Sequence, residues 1–102
     1  CLPAPSVLAF DQEGNLLAWF GGQDFPSQWP QSEHGLFIDH EDNIWIASAG
    51  EADDVVLKLN PQGELLLQVG EYGVYGGSND TQHLGQPTDI AVDAESNEAY
   101  IS

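Results

Sequence analysis

Few side chains in this 102-residue sequence can do chemistry, and three of them are imidazoles: His34, His40 and His83. A neutral imidazole can ligate a metal or move a proton near neutral pH, so each is weighed by its surroundings. His34 opens the run His34-Gly35-Leu36-Phe37-Ile38-Asp39, just ahead of an alternating apolar stretch. Its setting points to chemistry, with a backbone-bonded turn histidine as the plain alternative. His40 falls in an acidic turn and reads as surface. His83 falls in a glycine-rich connection and reads as an anchor bonded within that loop. One imidazole cannot hold a zinc ion by itself, since a catalytic zinc takes three protein ligands and keeps a fourth position open. Asp39, Glu41 and Asp42 loosely resemble a calcium loop but lack its full spacing, so they read as a solvated turn. The sequence contains no nucleophile elbow, no phosphate-cradling glycine loop with lysine, no CxxC and no HExxH.

The charge balance excludes whole classes of partner. One lysine, no arginine and 17 Asp plus Glu give a formal net charge of −16. Nucleic acids are held by Lys and Arg that displace counterions, and anionic membranes by basic clusters, so neither is expected as a partner. A solvated acidic surface is the plain reading, and attraction of divalent cations the functional one. No apolar run is long enough to cross a membrane as a helix. Cys1 permits no internal disulfide and reads as an interchain or missing-partner thiol, or as a lipid-bearing first residue. Asn79-Asp80-Thr81 fits a glycosylation acceptor. The chain starts without Met and stops on a strand-like Tyr100-Ile101-Ser102, which reads as a piece of a longer protein.

The elements that must position these residues read as strands throughout. Val7–Phe10 and Leu16–Phe20 flank a turn at Asp11–Asn15, where Gly14 supplies positive φ. Gln23–Glu33, with Pro26 and Pro30, reads as a connecting loop whose Phe25 and Trp29 pack over a sheet edge. Leu36 and Ile38 alternate with Phe37, and Ile44 and Ile46 with Trp45, which predicts a hairpin over Leu36–Ser48. Ala49–Asp54 is a small acidic loop. Val55–Leu59 and Glu64–Val69 form another hairpin around Asn60-Pro61-Gln62-Gly63. Gly70–Gln86 is a long connection with five glycines, whose Tyr72 and Tyr75 read as rim packing. Ile90–Asp93 and a strand near Ala99–Ile101 close the chain.

Internal repetition sets the fold class. Val7–Leu17 matches Val56–Leu66 at a shift of 49 residues, and Phe37-Ile38-Asp39 recurs as Ala91-Val92-Asp93 at a shift of 54, with Asn43 recurring as Asn97. Four strands repeating about every 50 residues make the blade of a β-propeller. The expectation is an all-β, partial propeller of four-stranded antiparallel blades. Residues 1–22 are the outer hairpin of a first blade, 23–33 a connecting loop, 34–70 a complete second blade, 71–86 an inter-blade loop, and 87–102 the inner strands of a third. About two blades are present, and the remaining blades are required to cover the terminal ones.

His34-Gly35-Leu36-Phe37-Ile38-Asp39, Asp42-Asn43-Ile44-Trp45 and Val56-Leu57-Lys58-Leu59 with Pro61 resemble NHL-type repeats. Gly77–His83 followed by Gln86-Pro87-Thr88-Asp89-Ile90-Ala91-Val92 resembles, more narrowly, the peptidyl-α-hydroxyglycine α-amidating lyase family, whose members are six-bladed NHL propellers. The resemblance spans residues 34–102. It implies that His34 is a zinc ligand, one of three imidazoles from alternate blades, and that the backbone carbonyl of Leu36 binds a structural calcium. It implies a C–N lyase acting on a small peptide-derived substrate, in an extracytoplasmic or secreted setting. The family's catalytic arginine has no counterpart in this chain, and Gly85 stands where the family has a disulfide cysteine. Two other functions compete with the enzyme: a non-catalytic propeller that binds a peptide, polysaccharide or protein, and a sugar-lactonase-like metal propeller.

Overall fold

Eight strands and no α-helix make up the described part of the chain, residues 5–22, 25–77 and 79–102 of a computed structural model. Cys1 lies outside these residues, as do Gln23 and Asp24 of the connecting loop and Ser78. The strands are β1 (Val7–Phe10), β2 (Leu16–Phe20), β3 (Glu33–Ile38), β4 (Ile44–Ser48), β5 (Val55–Leu59), β6 (Leu65–Gly70), β7 (Ile90–Asp93) and β8 (Glu98–Ile101). They form three antiparallel sheets: β1-β2, then β3-β4-β5-β6, then β7-β8.

The central strands β4 and β5 of the middle sheet are covered on both faces, whereas Leu36 and Ile38 of β3 are exposed. On one, Trp45, Ala47 and Val56 pack with Ile90 of β7, joined by Phe37, Val69, Val92 and Ile101. On the other, Ile44, Ile46 and Leu59 pack under Val7, Phe20, Phe25 and Trp29. A strand buried on both faces needs apolar residues at consecutive positions, not at alternate ones. That explains why β4 reads Ile-Trp-Ile-Ala and is buried along its whole length. Each fully buried Ile, Leu or Val contributes about 1.5–3 kcal/mol relative to exposure. Lys58 escapes that burial by laying its ammonium over the Trp45 ring, 5.1 Å from the centroid.

The turns repeat with the strands. Asp11 Oδ1 accepts the amides of Glu13 (3.0 Å) and Asn15 (2.8 Å), and Asn60 Oδ1 those of Gln62 (3.0 Å) and Glu64 (2.9 Å). Gly14 and Gly63 hold φ of 89° and 83° in the two turns. Even the bulges coincide, between Ala9 and Phe10 and between Lys58 and Leu59, 49 residues on. The inner hairpins match less closely. Asp39 and Asp93 each accept an amide two residues on, but the second turn is one residue longer, since Asp39 bonds Asn43 whereas Asp93 pairs with Glu98. Asn97, with φ 58°, therefore takes the role of Asp42 (φ 64°) and not that of Asn43, which corrects the match expected from the sequence.

Candidate functional site

His34 lies inside β3, which begins at Glu33 and not at Leu36 as the alternation predicted. Pairing with β4 runs Glu33↔Ser48 and then Gly35↔Ala47, so His34 is the unpaired residue of a β-bulge. A bulge breaks the alternation and re-aims a side chain. Strict alternation would put the ring on the Leu36 and Ile38 face. Instead it reaches the lead-in to β7, where Nδ1 lies 3.0 Å from the Thr88 carbonyl. A carbonyl only accepts, so this bond puts a proton on Nδ1, and in the neutral ring Nε2 then carries the lone pair. Metal-binding histidines are oriented by a bond of this kind. Gly35 makes the approach possible, because a Cβ there would stand 2.5 Å from the Thr88 oxygen.

Two buried carboxylates pin the segments that carry His34 and Thr88. Asp53 accepts the amides of Gln31 (3.0 Å) and Ser32 (2.9 Å) and the Ser48 hydroxyl, bracing the entry to β3. Asp54, next in sequence, accepts the Gln86 amide at 2.9 Å and braces the entry to β7. Burial pushes the Asp53 carboxyl up, but the Gln31 amide, the Ser48 hydroxyl and the Ser32 amide together hold it below its ordinary value. A reading from sequence alone makes this stretch a small acidic loop. The signal it passed over was two consecutive aspartates directly before an unbroken apolar strand.

Asp39 is not solvated, contrary to the expectation for the turn; it is buried. Its Oδ1 accepts the amides of Glu41 and Asn43, both at 2.9 Å, and its Oδ2 the Trp45 indole at 2.8 Å. Burial raises its pKa, and these bonds, aided by Lys58, outweigh that and hold it below the ordinary value. Its oxygens are committed to the fold, which leaves little for a cation.

Leu36 is paired with Ile46. Asp39 donates to the Asn43 carbonyl at the turn, and hydrogen-bonded pairs alternate along an antiparallel ladder, so 36/46 is a non-hydrogen-bonded pair. The N–H and C=O of Leu36 therefore point away from β4, toward the open edge of the sheet.

His83 is bonded within its own loop, as expected: its Nδ1 is 3.1 Å from Asp80 and its Nε2 3.6 Å from Glu71. His40 is exposed beside Glu41, 3.6 Å away. Tyr72 donates to the Gln28 carbonyl at 3.0 Å, and burial, with the Asp53 charge second, pushes its pKa up to about 12. Phe25 and Trp29 meet edge to face at 4.9 Å and pack on the core under the first sheet. They also line an open cleft of about 580 Å³ with Ser6, Gln31 and Glu33, which does not include His34. Gly85 is explained by a close approach, since a Cβ there would stand 2.6 Å from the Gly76 carbonyl oxygen. Among the described residues, no three His, Cys, Asp or Glu side chains are grouped to hold a metal ion. No protein-family model matches the chain, and no solved structure matches it.

Proposed function

We propose that the chain is part of an NHL-type, six-bladed β-propeller related to the peptidyl-α-hydroxyglycine α-amidating lyases, in which His34 faces the central channel as one of three imidazoles for zinc. The observation that carries this reading is the bulge at His34, with Nδ1 tied to the Thr88 carbonyl and Nε2 left as a lone pair. The stacking of three sheets with β3 against β7 supports the propeller, because inner strands of successive blades are neighbours around a channel. This chain fits the metal as one donor of a set. Bound zinc would act as a Lewis acid on the hydroxyl of an α-hydroxyglycine-like substrate, in a reaction that yields an amide and glyoxylate. His34 binds, the Thr88 carbonyl orients its ring, Gly35 permits their contact, and Asp53 and Asp54 fix the two lead-in segments. The Leu36 carbonyl, aimed at the open edge, suits calcium, a hard cation that takes oxygen ligands.

The test is elemental analysis of the protein with its remaining blades in place, alongside glyoxylate release from an α-hydroxyglycine-extended peptide. His34→Ala is expected to lose zinc and turnover together. Unchanged zinc in the variant would remove His34 from the site. Peptide binding without turnover or zinc would favour a binding platform.

A further inference from the structure

The side chains here that carry or can take a positive charge are all committed away from one carboxylate. Lys58, the only lysine or arginine, lies over the Trp45 ring. His34 is tied to the Thr88 carbonyl, His40 stands beside Glu41, and His83 lies between Asp80 and Glu71. Glu33 has none of them. Its Oε1 accepts the Trp29 indole N–H instead. Burial raises its pKa, but the Ser6 hydroxyl and the Trp29 indole outweigh that and hold it below the ordinary value, so Glu33 is ionised at neutral pH. The Asp53 charge deepens the negative potential around it.

Glu33 lines the open cleft of about 580 Å³ together with Phe25, Trp29, Gln31 and Ser6. The segment that builds this cleft, between β2 and β3, is braced along its length. Phe25 donates its amide to the Gly22 carbonyl at 3.2 Å, and the Gln28 carbonyl accepts the Tyr72 hydroxyl at 3.0 Å. The amides of Gln31 and Ser32 are held by Asp53. Trp29 seats against Gly21, where a Cβ would stand 2.5 Å from the ring. The cleft is thus formed before a ligand arrives, as small-molecule sites usually are. A carboxylate beside aromatic rings suits an organic cation, which gains charge-assisted bonds from the one and the ring quadrupole from the other. Each carboxylate oxygen can accept two donors, so the indole leaves Glu33 room for more. A neutral ligand could stack on the rings equally well but would gain nothing from the uncompensated charge.

We propose that this cleft binds an organic cation, an ammonium or guanidinium group held by the Glu33 carboxylate and the Trp29 ring. The site does not rest on the metal reading. Glu33 reaches Trp29, which packs on the core facing the first sheet, whereas His34, the next residue, reaches Thr88 ahead of the third. The two neighbours serve opposite sides of β3.

The test is an NMR titration of the isotope-labelled protein, with its remaining blades in place, by N-acetyl-argininamide, N-acetyl-lysinamide and the neutral N-acetyl-glutaminamide. The readout is the Trp29 indole N–H, assigned by its loss in Trp29→Phe, because that proton bonds Glu33. A saturable shift with a cation and none with glutaminamide is expected, and the stronger of the two cations names the group. Added salt should weaken the binding, since the attraction is between charges. Glu33→Gln keeps an acceptor for the indole while removing the charge, and should bind the cation about tenfold more weakly, the loss of roughly one charge-assisted bond. An equal shift with glutaminamide, or parental affinity in Glu33→Gln, would overturn the proposal. So would the absence of a shift with either cation, which is the result if another blade fills the cleft. His34→Ala should leave the titration unchanged, so the cleft and the metal site are judged separately.

Discussion

Replacing Asp39 by alanine strands three donors at once: the Trp45 indole and the amides of Glu41 and Asn43. Buried donors left without acceptors cost about 1–3 kcal/mol each, and partial access of water lowers the sum. Asp39→Ala is expected to lose about 2–4 kcal/mol in urea unfolding, a large share of a small domain's stability. Asp39 and Asp53 both sit below the ordinary carboxylate pKa of 3.8 in the folded state. Their contribution is therefore complete above that value and fades as pH falls through the lowered ones. Asp39→Asn should flatten the decline in stability below about pH 4. Tyr72, pushed up to about 12, should ionise only in strong alkali in a spectrophotometric titration, and Tyr72→Phe should remove that step. At this scale the sequence singles out His34 by its motif, because an imidazole beside glycine before a strand is a local pattern. It did not reveal Thr88 as the partner, because the contact joins residues 54 apart and uses a backbone oxygen that any residue supplies.

At the scale of elements, the two glycines against neighbouring chain segments make sharp tests. A Cβ at Gly35 would stand 2.5 Å from the Thr88 oxygen, and backbone cannot swing aside as a side-chain tip can. Gly35→Ala should therefore separate β3 from β7, cost about 1–3 kcal/mol and release the His34 ring. A ring-proton shift of His34 in NMR would report the release. Gly63→Ala meets both a positive φ of 83° and the Phe20 ring at 2.8 Å, so it should loosen the first sheet from the second. The hairpins were legible in the sequence because apolar alternation and Asp, Asn and Gly turns are local signals. The start of β3 was not. Its first residues are Glu33 and His34, and the bulge that ends the alternation there is a tertiary accommodation. The extra residue in the β7–β8 turn was hidden for a similar reason, since Asn43 and Asn97 are the same residue type in different turn positions.

On the scale of the whole molecule, three stacked sheets span 44 × 39 × 19 Å, with a core on each face of the middle one. The repeat foretold that stacking, because a single repeat unit cannot cover its own faces. The cation held over Trp45 has an analytical use. Lys58 is the only lysine or arginine of the sequence and sits mid-strand in β5, so trypsin has a single bond to cut. While the middle sheet holds, that bond is out of a protease's reach; once it opens, the polypeptide falls into two pieces. Cleavage rate at Lys58 thus becomes a one-band gauge of how often the central sheet comes apart.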